Sequence, residues 1–177
     1  MNALRDLAVT HQNLCEAQLA LGRSDAALAR CRKSLELYQT LHSAEPSNAQ
    51  SQYDLALGHQ SMHRVLAARG QLTASLAQLD RSTELIRRLL QAHSDNVPAR
   101  RDLARNLLFV SAVHARLASR AGASPAEVAV HRQRATSAYE SGRRLLLKLA
   151  EGERLSSDDE DFLRNVRTQL TPLRLKY

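Results

Sequence analysis

Apolar positions return every three or four residues along most of the chain, the period of an amphipathic helix. Leu4, Leu7, Ala8, Leu14, Ala17 and Leu21 mark a first helix. Gly22 is suited to end it in a left-handed conformation, and Ser24 or Asp25 is expected to cap the next. That helix carries Leu28, Cys31, Leu35, Tyr38 and Leu41, and Pro46 stops it. Asn48 is the expected N-cap of a third helix over about 49–69, Gly70 the turn, and a fourth helix over about 72–93 uses Leu76, Leu79, Ile86 and Leu90. Asn96 then caps, with Pro98 in the first turn of a helix over about 98–120, where a missing N–H costs nothing. A longer turn, Arg120 to Pro125, leads into a helix over about 125–151 using Val128, Ala135, Ala138, Tyr139, Leu145, Leu146 and Leu149. Ser157-Asp158-Asp159-Glu160 matches a capping box, and Phe162, Val166 and Leu170 line one face of a seventh helix that Pro172 ends.

The helices come in a repeat. Asp6-Leu7-Ala8 recurs as Asp54-Leu55-Ala56 and again as Asp102-Leu103-Ala104, the two steps being equal and without a gap. His11 and His59, Leu14 and Met62, Gly22 and Gly70, Ser34 and Ser82, Leu37 and Leu85, Leu41 and Leu89, and Asn48 and Asn96 keep the same step. The expected fold is therefore all-α: a right-handed α-solenoid of three antiparallel helical hairpins (about 1–46, 47–94 and 95–152) forming a single domain. The seventh helix, about 156–171, caps the apolar face that a last repeat exposes. The first hairpin has no such cap, so either repeats precede Met1 in a longer protein or this end pairs with another copy.

Composition narrows the rest. Aromatics are 3% of the chain and Trp is absent, so the core is built from Leu, Ala and Val. Net charge is +7; residues 1–89 hold 10 basic and 8 acidic side chains, and residues 90–177 hold 15 and 10. A basic surface attracts acidic partners, nucleic acid or anionic lipid. Stacking on nucleic acid needs more aromatics than this, and no nucleic-acid partner is expected. Cys15 and Cys31 have no metal-ligand spacing. Both fall on apolar stripes, which predicts buried free thiols, with a disulfide inside the first hairpin as the alternative in an oxidising compartment.

At this point the pattern resembles the tetratricopeptide repeat. With Gly22 on that family's turn glycine, Ala27, Cys31 and Ser34 take its small, large and small positions in the second helix, and Ser75, Leu79 and Ser82 follow in the next unit. Leu14, Met62 and Val110 take its first-helix leucine. The family's tryptophan is replaced by His11, His59 and Leu107, and its first-helix glycine by Cys15, His63 and Ser111. Its usual unit is about 34 residues, so both helices are lengthened here. Long units of this kind look like repeat arrays of bacterial signalling proteins, such as the C-terminal regions of eukaryotic-type Ser/Thr kinases. This sequence carries no Gly-rich loop, His-Arg-Asp or Asp-Phe-Gly of its own. The sequence leaves the compartment open: cytoplasmic by default, periplasmic or extracytoplasmic if the chain is the C-terminal domain of a membrane kinase.

The resemblance also implies a concave groove lined by the first helix of each unit. Its residues would be Gln12, Asn13, Glu16, Gln60, Ser61, Arg64, Arg105, Phe109 and Arg116, running from mixed polar to Arg-rich. Arginine forks suit carboxylates, so a peptide or protein partner with acidic residues is expected. The family's two-carboxylate clamp is not reproduced: Asn13 fits, but Val9 and Phe109 stand where charge is needed. No enzyme, cofactor or metal site is expected. His59 and His63 lie one helical turn apart without a third ligand, and the recurring Asp6, Asp54 and Asp102 suit bonds to a neighbouring hairpin. The expected function is a non-catalytic interaction scaffold. The alternatives are a homodimerisation module acting through the first hairpin, or a basic binder of nucleic acid or anionic surfaces.

Overall fold

A computed structural model describes residues 2–150 and 155–171. All secondary structure among them is helical, in seven helices: α1 Asn2–Ala20, α2 Ser24–Ala44, α3 Ala49–Ala68, α4 Leu72–Ala92, α5 Val97–Ala118, α6 Pro125–Leu149 and α7 Ser157–Leu170. The chain divides into two compact units, 1–94 with α1–α4 and 95–177 with α5–α7. Met1 and Pro172, on which two expectations rest, lie outside the described residues.

The stop signals act as their chemistry suggests. Gly22, Gly70 and Gly122 all have positive φ, between 72° and 81°, a conformation in which a Cβ would be strained. The Asn48 carboxamide oxygen accepts from the N–H groups of Gln50 and Ser51, and that of Asn96 from Ala99. Ser124 and Glu127 form a reciprocal capping box. Two expectations need correction. Neither Ser24 nor Asp25 caps α2: Arg23 holds that position with no side-chain hydrogen bond. Asp25 instead pairs with Arg69, just past the end of α3. In α7 the cap is Ser156, one residue earlier than expected, whose hydroxyl accepts from the Asp159 N–H.

Three hairpins, α1/α2, α3/α4 and α5/α6, are antiparallel. Their cross-helix partners approach along one helix as they recede along the other. Ser34 Oγ donates to the Ala8 carbonyl at 2.9 Å while Cys15 meets Cys31 nearer the turn. Gln78 meets His59 and Ser75 meets His63, both at 2.7 Å. Ser111 Oγ donates to the Ala135 carbonyl at 2.7 Å, and a Cβ on Gly142 would lie 2.8 Å from the Ala104 carbonyl oxygen. The alanine of each Asp-Leu-Ala, Ala8, Ala56 and Ala104, is fully buried.

These contacts fix the register of α6. Ser75, Leu79 and Ser82 of α4 are matched in α6 by Ala135, Tyr139 and Gly142, all buried, and Ile86 by Leu146. The third hairpin thus carries a longer stretch of chain between its two crossing faces than the constant step of the first two units allows. The extra residues are accommodated by the longer turn and by added turns at the start of α6. The small–large–small pattern survives the insertion because a close helix crossing needs small residues on either side of one bulky one.

The first unit's core joins Leu35, Tyr38, Leu41, Leu55, Met62 and Val65. In the second, Leu108, Tyr139, Leu146, Val166 and Leu170 form one cluster, so α7 contributes directly to it. The helix packs chiefly on α5, in the same direction: Arg105 reaches Asp159 and, further along both helices, Phe109 reaches Phe162.

Candidate functional site

In the first unit, α1 and α3 run side by side and parallel, and their polar faces meet. Arg5 grips Asp54 with two hydrogen bonds, at 2.5 and 3.1 Å, and Gln50 donates to the same carboxylate at 2.7 Å. Asp54 is buried and so has its charge satisfied. Further along the two helices, Ser61 and Arg64 both approach Glu16, at 3.3 and 3.2 Å. The Glu16–Arg64 pair faces water, each side chain being 43% exposed, while Ser61 beneath it is buried. Gln12 accepts from the Tyr38 hydroxyl at 2.8 Å. Burial pushes that phenol up to about 12, with the nearby Asp54 charge adding to the rise, so it stays a donor at any physiological pH. Asn13 is exposed on α1 and Gln60 half-buried on α3.

The expected groove residues therefore separate into two groups. Glu16, Ser61 and Arg64 are brought into contact, with Gln12 and Asn13 on the same helix as Glu16. Arg105, Phe109 and Arg116 belong to the second unit. Arg105 and Phe109 there meet α7: the guanidinium of Arg105 lies 2.8 Å from Asp159 and over the Phe162 ring, and Phe109 meets that ring edge-on at 5.0 Å between centroids. Arg101 completes the contact, 3.2 Å from the other Asp159 oxygen. Arg116 is exposed.

Arg5, Arg101 and Asp159 are not among the expected site residues, yet a signal for them exists. Arg-Asp-Leu-Ala occurs at 5–8 and again at 101–104, two repeat steps apart. Both arginines hold a buried carboxylate near the start of the next parallel helix, Asp54 on α3 or Asp159 on α7. Of the recurring aspartates, Asp54 bonds to the neighbouring hairpin as expected, and Asp6 stands exposed.

The cysteines correct an expectation: Cys15 and Cys31 form a disulfide, with Cα atoms 5.3 Å apart, linking α1 to α2 in the first hairpin. Sequence pattern puts both on apolar faces but does not set them at the same level, which is what decides whether two thiols meet. Position 15 has a common role through the repeat. Its equivalents in the next two units are His63, which bonds to Ser75, and Ser111, which bonds to Ala135. Each hairpin is tied across its crossing by different chemistry.

His59 and His63 each bond across their own hairpin. His59 meets Gln78, and burial holds its pKa below the usual value. His114 stacks on His131 with their Nδ1 atoms 3.1 Å apart. Burial, reinforced by His131 and Arg134, lowers His114 to about 4, so the His114 ring is neutral near pH 7 and its tautomer decides whether Nδ1 donates or accepts. Among the described residues, no three His, Cys, Asp or Glu side chains gather as a metal site, and no helix is long and apolar enough to cross a membrane. No family model matches the chain, and no curated protein matches it either.

Proposed function

We propose that this chain is a non-catalytic protein-interaction module, a docking or sensor part of a larger bacterial signalling protein, that binds an acidic peptide or protein segment. The observation that carries the reading is the way α5 holds α7. Two arginines one turn apart converge on one carboxylate at the start of a parallel amphipathic helix, and an aromatic ring one turn further engages its apolar face. Charge-assisted pairing near a helix start with hydrophobic anchors behind it is a common mode of helix recognition. The first unit offers the same chemistry in a solvent-facing form. Exposed ion pairs are worth little on their own, so a ligand carboxylate can take the place of Glu16 on Arg64, with Ser61, Gln12 and Asn13 nearby as neutral hydrogen-bonding groups. The setting in a signalling protein rests on the resemblance of these long units to such repeat arrays.

An array of acidic and charge-neutralised peptides, probed with the intact oxidised protein, tests this. Binding should favour acidic peptides and fall at least about tenfold with Arg64→Glu, with far-UV circular dichroism unchanged. No preference for acidic sequences would end the reading, and binding that survives Arg64→Glu would remove the α1–α3 face as its site.

A further inference from the structure

One face of α1 is apolar and uncovered among the described residues. Leu7, Leu14 and Leu21 are 45%, 40% and 66% exposed and lie equally spaced, two helical turns apart. Thr10 and Ala17 between them and Ala3 before Leu7, also outward-facing, complete an alternating seam. Asn13, Ala20 and Asp6 flank it. Asp6 is thus the lone charge on the seam and this flank, in a chain whose composition is 24% charged. Removal of charge from a patch, with large apolar residues left in water, marks a surface made for contact.

The repeat shows what becomes of this face when it is used. Leu55 and Met62 are the α3 counterparts of Leu7 and Leu14, and both are buried in the core shared by α1, α2 and α3. Sequence positions that pack a helix in the second hairpin are therefore bare in the first.

We propose that a second copy of this chain covers the α1 face, in an antiparallel α1–α1′ pairing about a two-fold axis near the middle of the helix. Leu7 and Leu21 stand equally far from Leu14, so reversing the helix reproduces the spacing, as a self-complementary two-fold contact requires. A seam with heptad spacing and small residues between its leucines lets two helices approach closely. The charges agree with the reversed direction. Asp6 stands towards one end of the seam and Arg23, exposed, just past the other. An antiparallel partner brings each Asp6 to the end carrying Arg23′, whereas a parallel one sets Asp6 beside Asp6′. The disulfide from Cys15 to Cys31 holds α1 in place on α2, so the face is presented on a fixed helix.

Sedimentation equilibrium of the oxidised protein tests the pairing. The wild type should be a dimer at tens of micromolar, about that range being expected for a single helix–helix seam. Leu14→Glu should weaken dimerisation at least about tenfold with helicity retained, while Val130→Glu, at an exposed apolar position on α6, leaves it unchanged. Asp6→Arg should weaken the dimer about threefold by like-charge contact with Arg23′, and adding Arg23→Asp should restore it. A wild type that stays monomeric up to high concentration, or a dimer indifferent to Leu14→Glu, overturns the proposal. Failure of the double charge reversal to restore pairing overturns the antiparallel arrangement.

Discussion

The first hairpin and the third close the same crossing by opposite means. Where α1 meets α2, a covalent bond joins Cys15 to Cys31. Where α5 meets α6, the equivalent position, Ser111, offers one hydroxyl to the Ala135 carbonyl, and two stacked histidines sit a turn nearer the loop. The second hairpin uses a third chemistry, His63 on Ser75. Helix separation at these crossings is nevertheless set by the same small residues, Ala8, Ala56 and Ala104 on one side and Ser34, Ser82 and Gly142 on the other. The repeat thus constrains the space between helices more tightly than the bond across it. A carbonyl and a hydroxyl, a disulfide, or an imidazole and a hydroxyl can each fill a gap that small side chains leave open.

The difference should be visible first in the response to reduction. The bridge closes a loop with a sequence separation of 16 residues, for which loss of the crosslink is worth about 3 kcal/mol, mostly through the unfolded chain. Replacing Cys15 and Cys31 together with serine should lower the stability of residues 1–94 by about that amount. Hydrogen exchange by mass spectrometry separates the regions: exchange from α1 and α2 should accelerate while α5 and α6 keep their protection. Equal acceleration in both units, or none, would show that the covalent tie does not distinguish the first hairpin.

Acid should then distinguish the third. His114 is held near 4 in the fold, against about 6.5 in an unfolded chain. Above 6.5 both states are neutral there and the pair costs nothing. As pH falls from 6.5 towards 4, the unfolded state takes up a proton that the folded state refuses, so stability is progressively lost across that window. After allowance for solvent screening the loss is about 2 kcal/mol. His59, lowered in the same direction, adds an acid-sensitive contribution in the first unit. Imidazole proton shifts followed by NMR check the origin. In His131→Asn, His114 should titrate at higher pH, because one like-charged neighbour is gone while the burial remains. An unchanged midpoint would assign the whole depression to burial and Arg134.

How much of this the sequence displays depends on what decides each feature. Helix number, the left-handed Gly22, the turn at Gly70 and the caps at Asn48, Asn96 and Ser124 are local matters of periodicity and turn chemistry, and they read directly from the chain. The α7 cap falls one residue from its expected place because Ser156 and Ser157 are adjacent and both have acids following. The register of α6 is not legible, since Ala135, Tyr139 and Gly142 match the pattern only after an insertion whose length the constant step hides. The disulfide depends on the level at which two helices cross, which periodicity leaves open. The expected groove divides for a similar reason. Glu16, Ser61 and Arg64 do meet, but the partners of Arg105 and Phe109 lie on α7, beyond the whole of α6 in sequence. Long-range ion pairs of this sort are legible only through the repeated Arg-Asp-Leu-Ala.

The smallest effect probes the crossing itself. Ser111→Ala removes the hydroxyl that donates to Ala135 but keeps a small side chain at the buried crossing. The Ala135 carbonyl is already placed to accept within α6, so its loss of a second donor should cost about 1 kcal/mol. Ser111→Val also lacks the hydroxyl and adds bulk at a fully buried position against α6, and overpacking of that kind costs about 1–3 kcal/mol. If space between helices is the tighter constraint, Val should be the more damaging replacement in urea unfolding followed by circular dichroism. If the two variants lose the same stability, the hydrogen bond and not the spacing governs this crossing. The three chemistries at positions 15, 63 and 111 would then be separate solutions, each required in its own hairpin.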